Sequence, residues 1–144
     1  MWRPVMATLV MVTLAGCTDT GGSPSASSAL SPEAEALATR LRSSGLSVEA
    51  AGEVEQPFFS VKGQVLANGA EQIQVFTFPS ADASAAAASR VSPDGATVGT
   101  TSINWVAPPR FYRSEKLVVL YIGRDEKTVA ALRTVLGNPF AGTA

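Results

Sequence analysis

The stretch Leu117–Ile122 reads LVVLYI and is apolar at every position. Such a run is typical of a strand that is covered on both faces of a sheet, because a half-exposed strand alternates apolar and polar residues. We therefore expect this stretch to lie at the centre of the fold, within a longer strand over 110–123. A shorter strand is predicted over 102–106, with the connecting turn at 107–109.

A second group of strands is predicted earlier in the chain. Residues 58–66 and 72–78 are rich in β-branched and aromatic side chains and flank Asn68-Gly69, a dipeptide that favours a tight hairpin turn. A looser alternation of apolar residues over 46–54 predicts one more strand before this hairpin.

Three helices complete the predicted fold. Each has a capping side chain at its start and a helix-ending residue or turn at its close. They are expected to follow Ser31, Ser80 and Asp125 and to end near Gly45, Val91 and Gly137. The element order is then α-β-β-β-α-β-β-α. We expect one small α+β domain over residues 32–141, with an antiparallel sheet of about five strands and helices mostly on one face.

The N-terminal residues have the pattern of an export signal. Arg3 is followed by an apolar run over 5–14. This run is too short to span a bilayer, which requires about 20 residues. It is followed by a short motif, Leu14-Ala15-Gly16-Cys17. The motif resembles the lipobox of bacterial lipoproteins; the alternative is an ordinary secretory signal in which the cysteine is incidental.

The lipobox resemblance implies an address for the protein. In bacterial lipoproteins the cysteine receives a diacylglyceryl group, and the signal peptide is then removed directly before it. By this resemblance residues 1–16 are a signal peptide, and Cys17 carries the lipid, including fatty acids such as palmitate. Several acyl chains anchor stably, because each buried CH₂ contributes about 0.8 kcal/mol. We therefore expect the chain to be held on the cell membrane or the outer membrane, facing outside the cytoplasm.

Residues 17–31 follow the signal and are rich in serine and glycine. With little apolar surface to bury, they are predicted to form a flexible tether between the lipidated Cys17 and the folded domain. A chain of this length has a root-mean-square reach on the order of 20 Å.

The composition excludes several kinds of chemistry. The chain has no histidine and one cysteine, so it lacks the commonest general base and metal ligand and can form no internal disulfide. It contains no phosphate-loop, dinucleotide-binding or serine-hydrolase motif. Glu49, Glu53 and Glu55 are expected to keep an edge strand soluble rather than to bind calcium. We therefore expect no catalytic residue, no metal site and no cofactor.

Charge is divided between the two parts of the mature chain. Residues 17–100 carry nine acidic and four basic side chains, whereas residues 101–144 carry six basic and three acidic ones. A nucleic-acid-binding protein presents a dense basic face. The division instead predicts two complementary parts of one fold, and we expect no nucleic acid as a partner.

The most site-like segment covers residues 104–113, which combine three aromatic side chains with two arginines at the expected hairpin tip. Aromatic and arginine side chains anchor many interfaces, so Arg110, Tyr112 and Arg113 are the candidate binding surface. Strand alternation, however, places Arg110 and Tyr112 on one face and Arg113 on the other. The alternative is that Trp105 and Phe111 fill the core under the hairpin, with the arginines outside.

These observations predict a membrane-anchored extracytoplasmic lipoprotein that acts as a non-catalytic binding or structural module. Its expected partners are the membrane, through the N-terminal lipid, and an envelope protein. The alternative is an extracytoplasmic enzyme that uses carboxylate or serine chemistry in a pocket assembled by folding. A concave cluster of ionisable groups favours the enzyme, and a convex surface with Trp105 buried favours the binding module.

Overall fold

The computed structural model describes residues 29–143, so the signal peptide, Cys17 and most of the expected tether lie outside the described residues. The described part contains three helices: α1 (Pro32–Ser43), α2 (Ala81–Ser89) and α3 (Glu126–Leu136). It also contains eight strands: β1 (Glu49–Val54), β2 (Gly63–Asn68), β3 (Glu71–Thr77), β4 (Thr97–Val98), β5 (Thr101–Ser102), β6 (Pro109–Ser114), β7 (Leu117–Ile122) and β8 (Ala141–Gly142).

Six strands form one antiparallel sheet in the order β1-β2-β3-β7-β6-β8, and β4 and β5 form a separate pair. The predicted α+β fold with an antiparallel sheet is therefore confirmed. The sheet has one strand more than expected, because the short β8, after α3, pairs with β6 through Arg110 and Phe111. Two adjacent residues are too few to show a strand periodicity in the sequence.

The apolar run Leu117–Ile122 forms β7, which lies between β3 and β6 in the interior of the sheet. Val119 pairs with Val75 of β3 on one side and with Tyr112 of β6 on the other. All residues of β7 except Ile122 are buried. The predicted central strand is thus confirmed, and its apolar residues serve cores on both faces.

The two faces of the sheet carry different cores. On the face covered by α1 and α3 the core is mainly aliphatic, and Leu41, Leu66 and Leu132 are fully buried there. The other face is covered by α2 and loops, over a cluster that includes five phenylalanines: Phe58, Phe59, Phe76, Phe78 and Phe111. Two of the three described helices share a face, as the sequence predicted.

The single strand predicted over 110–123 is wrong, because this stretch folds back on itself as the β6–β7 hairpin. Ser114 pairs with Leu117 across a turn made by Glu115 and Lys116. Glu115 adopts φ +48°, a left-handed conformation that a residue other than glycine adopts rarely. The sequence pattern continued through the turn because neither turn residue is one of the usual turn formers.

Two other predicted strands have different bounds in the structure. Of the strand predicted over 102–106, only Ser102 is in a strand, where it pairs with Thr97 of β4. The strand predicted from Phe58 begins only at Gly63. Phe58 and Phe59 precede it in a loop, and their apolar side chains pack into the aromatic core. The apolar residues at these positions therefore indicate burial and not a strand.

A polar network fixes the loop between β7 and α3. The Tyr121 hydroxyl donates to the Glu71 carboxylate and accepts from the backbone N–H of Asp125 at 3.0 Å. The Asp125 carboxylate caps α3 by accepting from the N–H and the hydroxyl of Thr128, at 2.8 and 2.6 Å. Burial, followed by the hydrogen bond to Glu71, raises the pKa of Tyr121 to about 12. The loop that carries Arg124 is therefore held at both ends.

The first described residues contact β2 and β3, which lie on the other side of β7 from the β6–β8 edge. The Gln64 side chain of β2 donates to the Ala29 carbonyl at 3.0 Å and accepts from the Ser31 N–H at 2.8 Å. The Ser31 hydroxyl lies 3.0 Å from that of Thr77 on β3 and also caps α1, as the sequence predicted. Residues 29–31 therefore lie against β2 and β3.

Candidate anion-binding site

Three arginines from separate parts of the chain line one open groove of about 500 Å³ beside the β6–β8 edge of the sheet. Arg110 comes from β6, Arg124 from the loop between β7 and α3, and Arg133 from the last turn of α3. Three residues of α3 complete its lining: Glu126, Val129 and Ala130. We call this group of six residues the arginine pocket.

Helix periodicity explains why α3 contributes four residues to this pocket. Glu126, Val129, Ala130 and Arg133 are spaced i, i+3, i+4 and i+7, so they share one face of the helix. The opposite part of α3 packs into the aliphatic core through Leu132, which is fully buried. The helix is therefore held in place by one face and presents the other to the groove.

The pocket arginines form no ion pair within the part of the chain that the structure describes. Its ion pairs join Arg42 to Glu35 at 3.0 Å, Lys62 to Glu55 at 3.3 Å and Lys116 to Glu33 at 3.9 Å. The carboxylate of Glu126 lines the same pocket without coming within ion-pair distance of an arginine. With three positive charges and one negative charge, the lining favours an anion.

Arg110 is the most constrained of the three arginines. Its Nη1 donates to the Gly123 carbonyl at 2.9 Å, which fixes the guanidinium beside the β7–α3 loop. Its Nε is buried and has no hydrogen-bond partner among the described residues. A buried donor without a partner costs about 1–3 kcal/mol.

Tyr112 lies behind the pocket rather than on the surface. Its side chain is fully buried in the aliphatic core, so its expected place on a binding surface is wrong. Burial raises the pKa of Tyr112, and the charges of Arg110 and Arg133 oppose that change, which shows that both charges lie near the phenol. The Tyr112 hydroxyl is a second buried group without a hydrogen-bond partner among the described residues.

Arg113 belongs to the other face of the sheet, as strand alternation predicted. Its Nε donates to the Ser84 hydroxyl at 3.2 Å, and its Nη2 donates to the Ala81 carbonyl at 3.1 Å. Ser84 is fully buried and donates in turn to the carbonyls of Ala81 and Glu115. Arg113 therefore ties α2 to the β6–β7 hairpin. The three residues expected to form one surface do not share one.

The aromatic side chains beside these arginines are packing residues. Phe111 is fully buried in the aromatic core. Trp105 is partly buried, packs edge-on against Phe58 and Phe111, and donates through Nε1 to the Gly95 carbonyl at 2.7 Å. This arrangement agrees with the interpretation that these side chains fill the core, and it removes them from the candidate site.

The acidic residues singled out in the sequence lie at the other edge of the sheet. Glu49 and Glu53 are on β1, which is an edge strand as expected, and both are exposed together with Glu55. Among residues 29–143 no three carboxylates are grouped closely enough to hold a metal ion. Asp94 forms a turn in which a hydrogen bond from Ser92 lowers the pKa of its carboxyl.

The pocket provides charge and hydrogen-bond donors rather than a proton-transfer group. Arginine keeps its charge at every pH at which the protein is folded, so it can hold an anion but cannot act as a general base. Glu126 is the one carboxylate in the lining. The site is thus a concave cluster of ionisable groups, the feature expected to favour the enzyme, but three of its four ionisable side chains are arginines, which suit binding.

Sequence reasoning identified Arg110 but missed Arg124 and Arg133. The i, i+3, i+4, i+7 spacing from Glu126 to Arg133 was a signal that these residues share a helix face. Arg110 and Arg124, however, meet only because the β6–β7 hairpin places Pro109 opposite Ile122. Because one continuous strand was predicted over 110–123, Arg110 and Arg124 were expected to lie at opposite ends of it.

No family model, curated protein or solved structure matches this chain. Within residues 29–143, no helix has the length and apolar character needed to cross a membrane.

Proposed function

We propose that the chain is a lipid-anchored protein of the bacterial envelope that binds anionic groups of a partner in its arginine pocket and catalyses no reaction. The observation that carries the binding role is the convergence of Arg110, Arg124 and Arg133 on one groove, where none of them forms an ion pair with a carboxylate of residues 29–143. Guanidinium groups recognise carboxylates and phosphates through paired N–H donors, and they do so best where water is partly excluded.

The lipid anchor is supported by the resemblance of Leu14-Ala15-Gly16-Cys17 to a lipobox. The path of the chain is compatible with simultaneous anchoring and binding. The N-terminal segment enters against β2 and β3, whereas the pocket borders β6. Three strand spacings separate β2 from β6, which is roughly 14 Å. Residues 29–31 and the pocket therefore contact different strands of the sheet.

Metabolic labelling with a radioactive fatty acid tests the anchor. The wild-type protein expressed in a bacterium should incorporate label and sediment with membranes, and Cys17→Ser should do neither. Label that persists in Cys17→Ser would contradict the anchoring proposal.

Crosslinking in intact cells tests the binding role. The double variant Arg124→Gln/Arg133→Gln should lose specific crosslinked adducts, because it removes two of the three pocket charges. The matched control Glu49→Gln/Glu53→Gln neutralises two exposed charges at the opposite edge and should keep them. Adducts that persist in the arginine variant, or that disappear equally from both variants at unchanged melting temperature, would contradict the proposed site.

A further inference from the structure

We infer that the arginine pocket binds a phosphoryl group, with Arg110, Arg124 and Arg133 as its ligands. This inference rests on the proposed function, because it names the chemistry recognised by the same pocket. Three observations support it: the number of guanidiniums, the net charge of the lining and the fixed position of Arg110 beside the groove.

The number of guanidiniums favours phosphate over carboxylate. A carboxylate has two oxygens with about four lone-pair sites, and one bidentate arginine fills two of these sites. A phosphoryl group presents three oxygens around one centre and can engage several arginines at once. Three arginines from three chain segments therefore exceed what a single carboxylate can use.

The charge of the lining also matches a phosphate monoester. Arg110, Arg124 and Arg133 contribute three positive charges and Glu126 one negative charge. A phosphate monoester carries about −1.5 to −2 at pH 7, so it would nearly neutralise the lining. Glu126 would disfavour ligands of higher negative charge and weaken binding by its own repulsion.

The position of Arg110 supplies the geometric support. Its Nη1 donates to the Gly123 carbonyl at 2.9 Å, and the same side chain lines the groove. Its guanidinium is therefore held beside the groove before a ligand arrives. Preorganised donors lower the entropic cost of binding an anion.

Calorimetric titration with glycerol phosphate tests this inference on the full chain, purified in a non-ionic detergent. At pH 8 and constant ionic strength, glycerol phosphate should bind at one site, and acetate should bind at least tenfold more weakly. Arg124→Gln and Arg133→Gln should each weaken glycerol phosphate binding about tenfold, the effect of one lost charge-assisted hydrogen bond. Glycerol phosphate binding no tighter than that of acetate would overturn the inference.

Two further variants separate a built site from general charge attraction. Glu126→Gln should tighten glycerol phosphate binding several-fold, because it removes the one repulsive charge in the lining. Lys127→Gln removes an exposed cation of the same helix that does not line the pocket, and should change binding less than twofold. Equal weakening in Lys127→Gln, Arg124→Gln and Arg133→Gln would show nonspecific screening and overturn the inference.

A short-chain phosphatidic acid in the same detergent distinguishes two sources of the phosphoryl group. Binding at least tenfold tighter than that of glycerol phosphate would support a membrane lipid as the source. Equal affinity would support a soluble or polymer-borne phosphate.

Failure of this inference can be told apart from failure of the proposed function. If glycerol phosphate does not bind but the adducts in cells still depend on Arg124 and Arg133, the phosphoryl assignment is wrong and the proposed function stands. If the adducts are also independent of these arginines, both are wrong.

Discussion

The two edges of the main sheet carry charges of opposite sign, and these charges are arranged differently at the two edges. At the β1 edge, Glu49 and Glu53 project into solvent from a strand that is irregular between Ala50 and Glu53. At the β6–β8 edge, Arg110, Arg124 and Arg133 converge on one groove, and one of their N–H groups is buried without a partner among the described residues. Dispersed charge at one edge contrasts with concentrated charge at the other.

This difference separates two reasons for placing charge at a sheet edge. Exposed acids and an irregular strand prevent another strand from pairing with β1, so solubility is a sufficient explanation for them. Solubility does not explain the convergence at the other edge, because grouping like charges costs electrostatic free energy. The convergence of like charges on one groove is instead what the proposed binding of an anion would require.

Both edges depend on the same central strand, so the largest expected effect comes from breaking it. Val119→Asp places a carboxylate at a fully buried position between Val75 and Tyr112. It should lower the free energy of unfolding by about 4 kcal/mol or more, because a charge buried without a partner is among the costliest changes. Chemical denaturation followed by circular dichroism measures the effect.

The same substitution at an exposed valine provides the control for Val119→Asp. Val106 is 96% exposed, so Val106→Asp should change the free energy of unfolding by less than about 0.5 kcal/mol. Similar losses in the two variants would mean that β7 is not the core of the sheet.

A smaller effect is expected where β7 meets the loop that carries Arg124. Because the pKa of Tyr121 is raised to about 12, the folded state keeps a proton that an unfolded tyrosine loses near pH 10. This contribution is complete below pH 10 and is lost as the pH rises towards 12, by up to about 1.4 kcal/mol per pH unit.

The variant Tyr121→Phe isolates this contribution. Removing the hydroxyl leaves Glu71 and the Asp125 N–H without their partner, so stability at pH 8 should fall by about 1–2 kcal/mol. Melting temperatures of both proteins between pH 8 and 11 provide the measurement. The wild type should lose stability more steeply than the variant above pH 10, and parallel curves would contradict the assignment.

The smallest effect distinguishes the arginine that supports the fold from those that bind. Arg113→Ala removes the hydrogen bonds to Ser84 and Ala81 and should cost about 1 kcal/mol of stability without changing glycerol phosphate affinity. Arg133→Gln should instead weaken glycerol phosphate binding and leave the stability unchanged. If Arg113→Ala weakened binding as much as Arg133→Gln, the distinction between an arginine that supports the fold and one that binds the ligand would be wrong.

The sequence predicted those features that depend on local pattern. The apolar run of β7, the turn at Gly69 between β2 and β3, and the caps Ser31, Ser80 and Asp125 are all present in the structure. Each of these follows from a few neighbouring residues, either through alternation or through a side chain that bonds to a nearby N–H.

The features that were missed depend on contacts between distant residues. The turn at Glu115 has no typical turn residue, and the left-handed conformation there is imposed by the pairing of β6 with β7. Without that turn, the approach of Arg110 to Arg124 could not be deduced, nor could the burial of Tyr112 behind them. Of the three pocket arginines, Arg110 was therefore identified from the sequence, and Arg124 and Arg133 were not.

The proposed binding role requires that the arginine pocket, and not basic charge in general, holds the ligand. The most direct test is a titration of the nitrogen-15-labelled full chain in non-ionic detergent with glycerol phosphate, followed by NMR through the arginine Nε–H signals. The signals of Arg110, Arg124 and Arg133 should shift together and saturate with one affinity, while those of Arg42 and Arg113 and the amides of β1 stay unchanged. Shifts that are equal at all arginines, or that never saturate, would contradict the account.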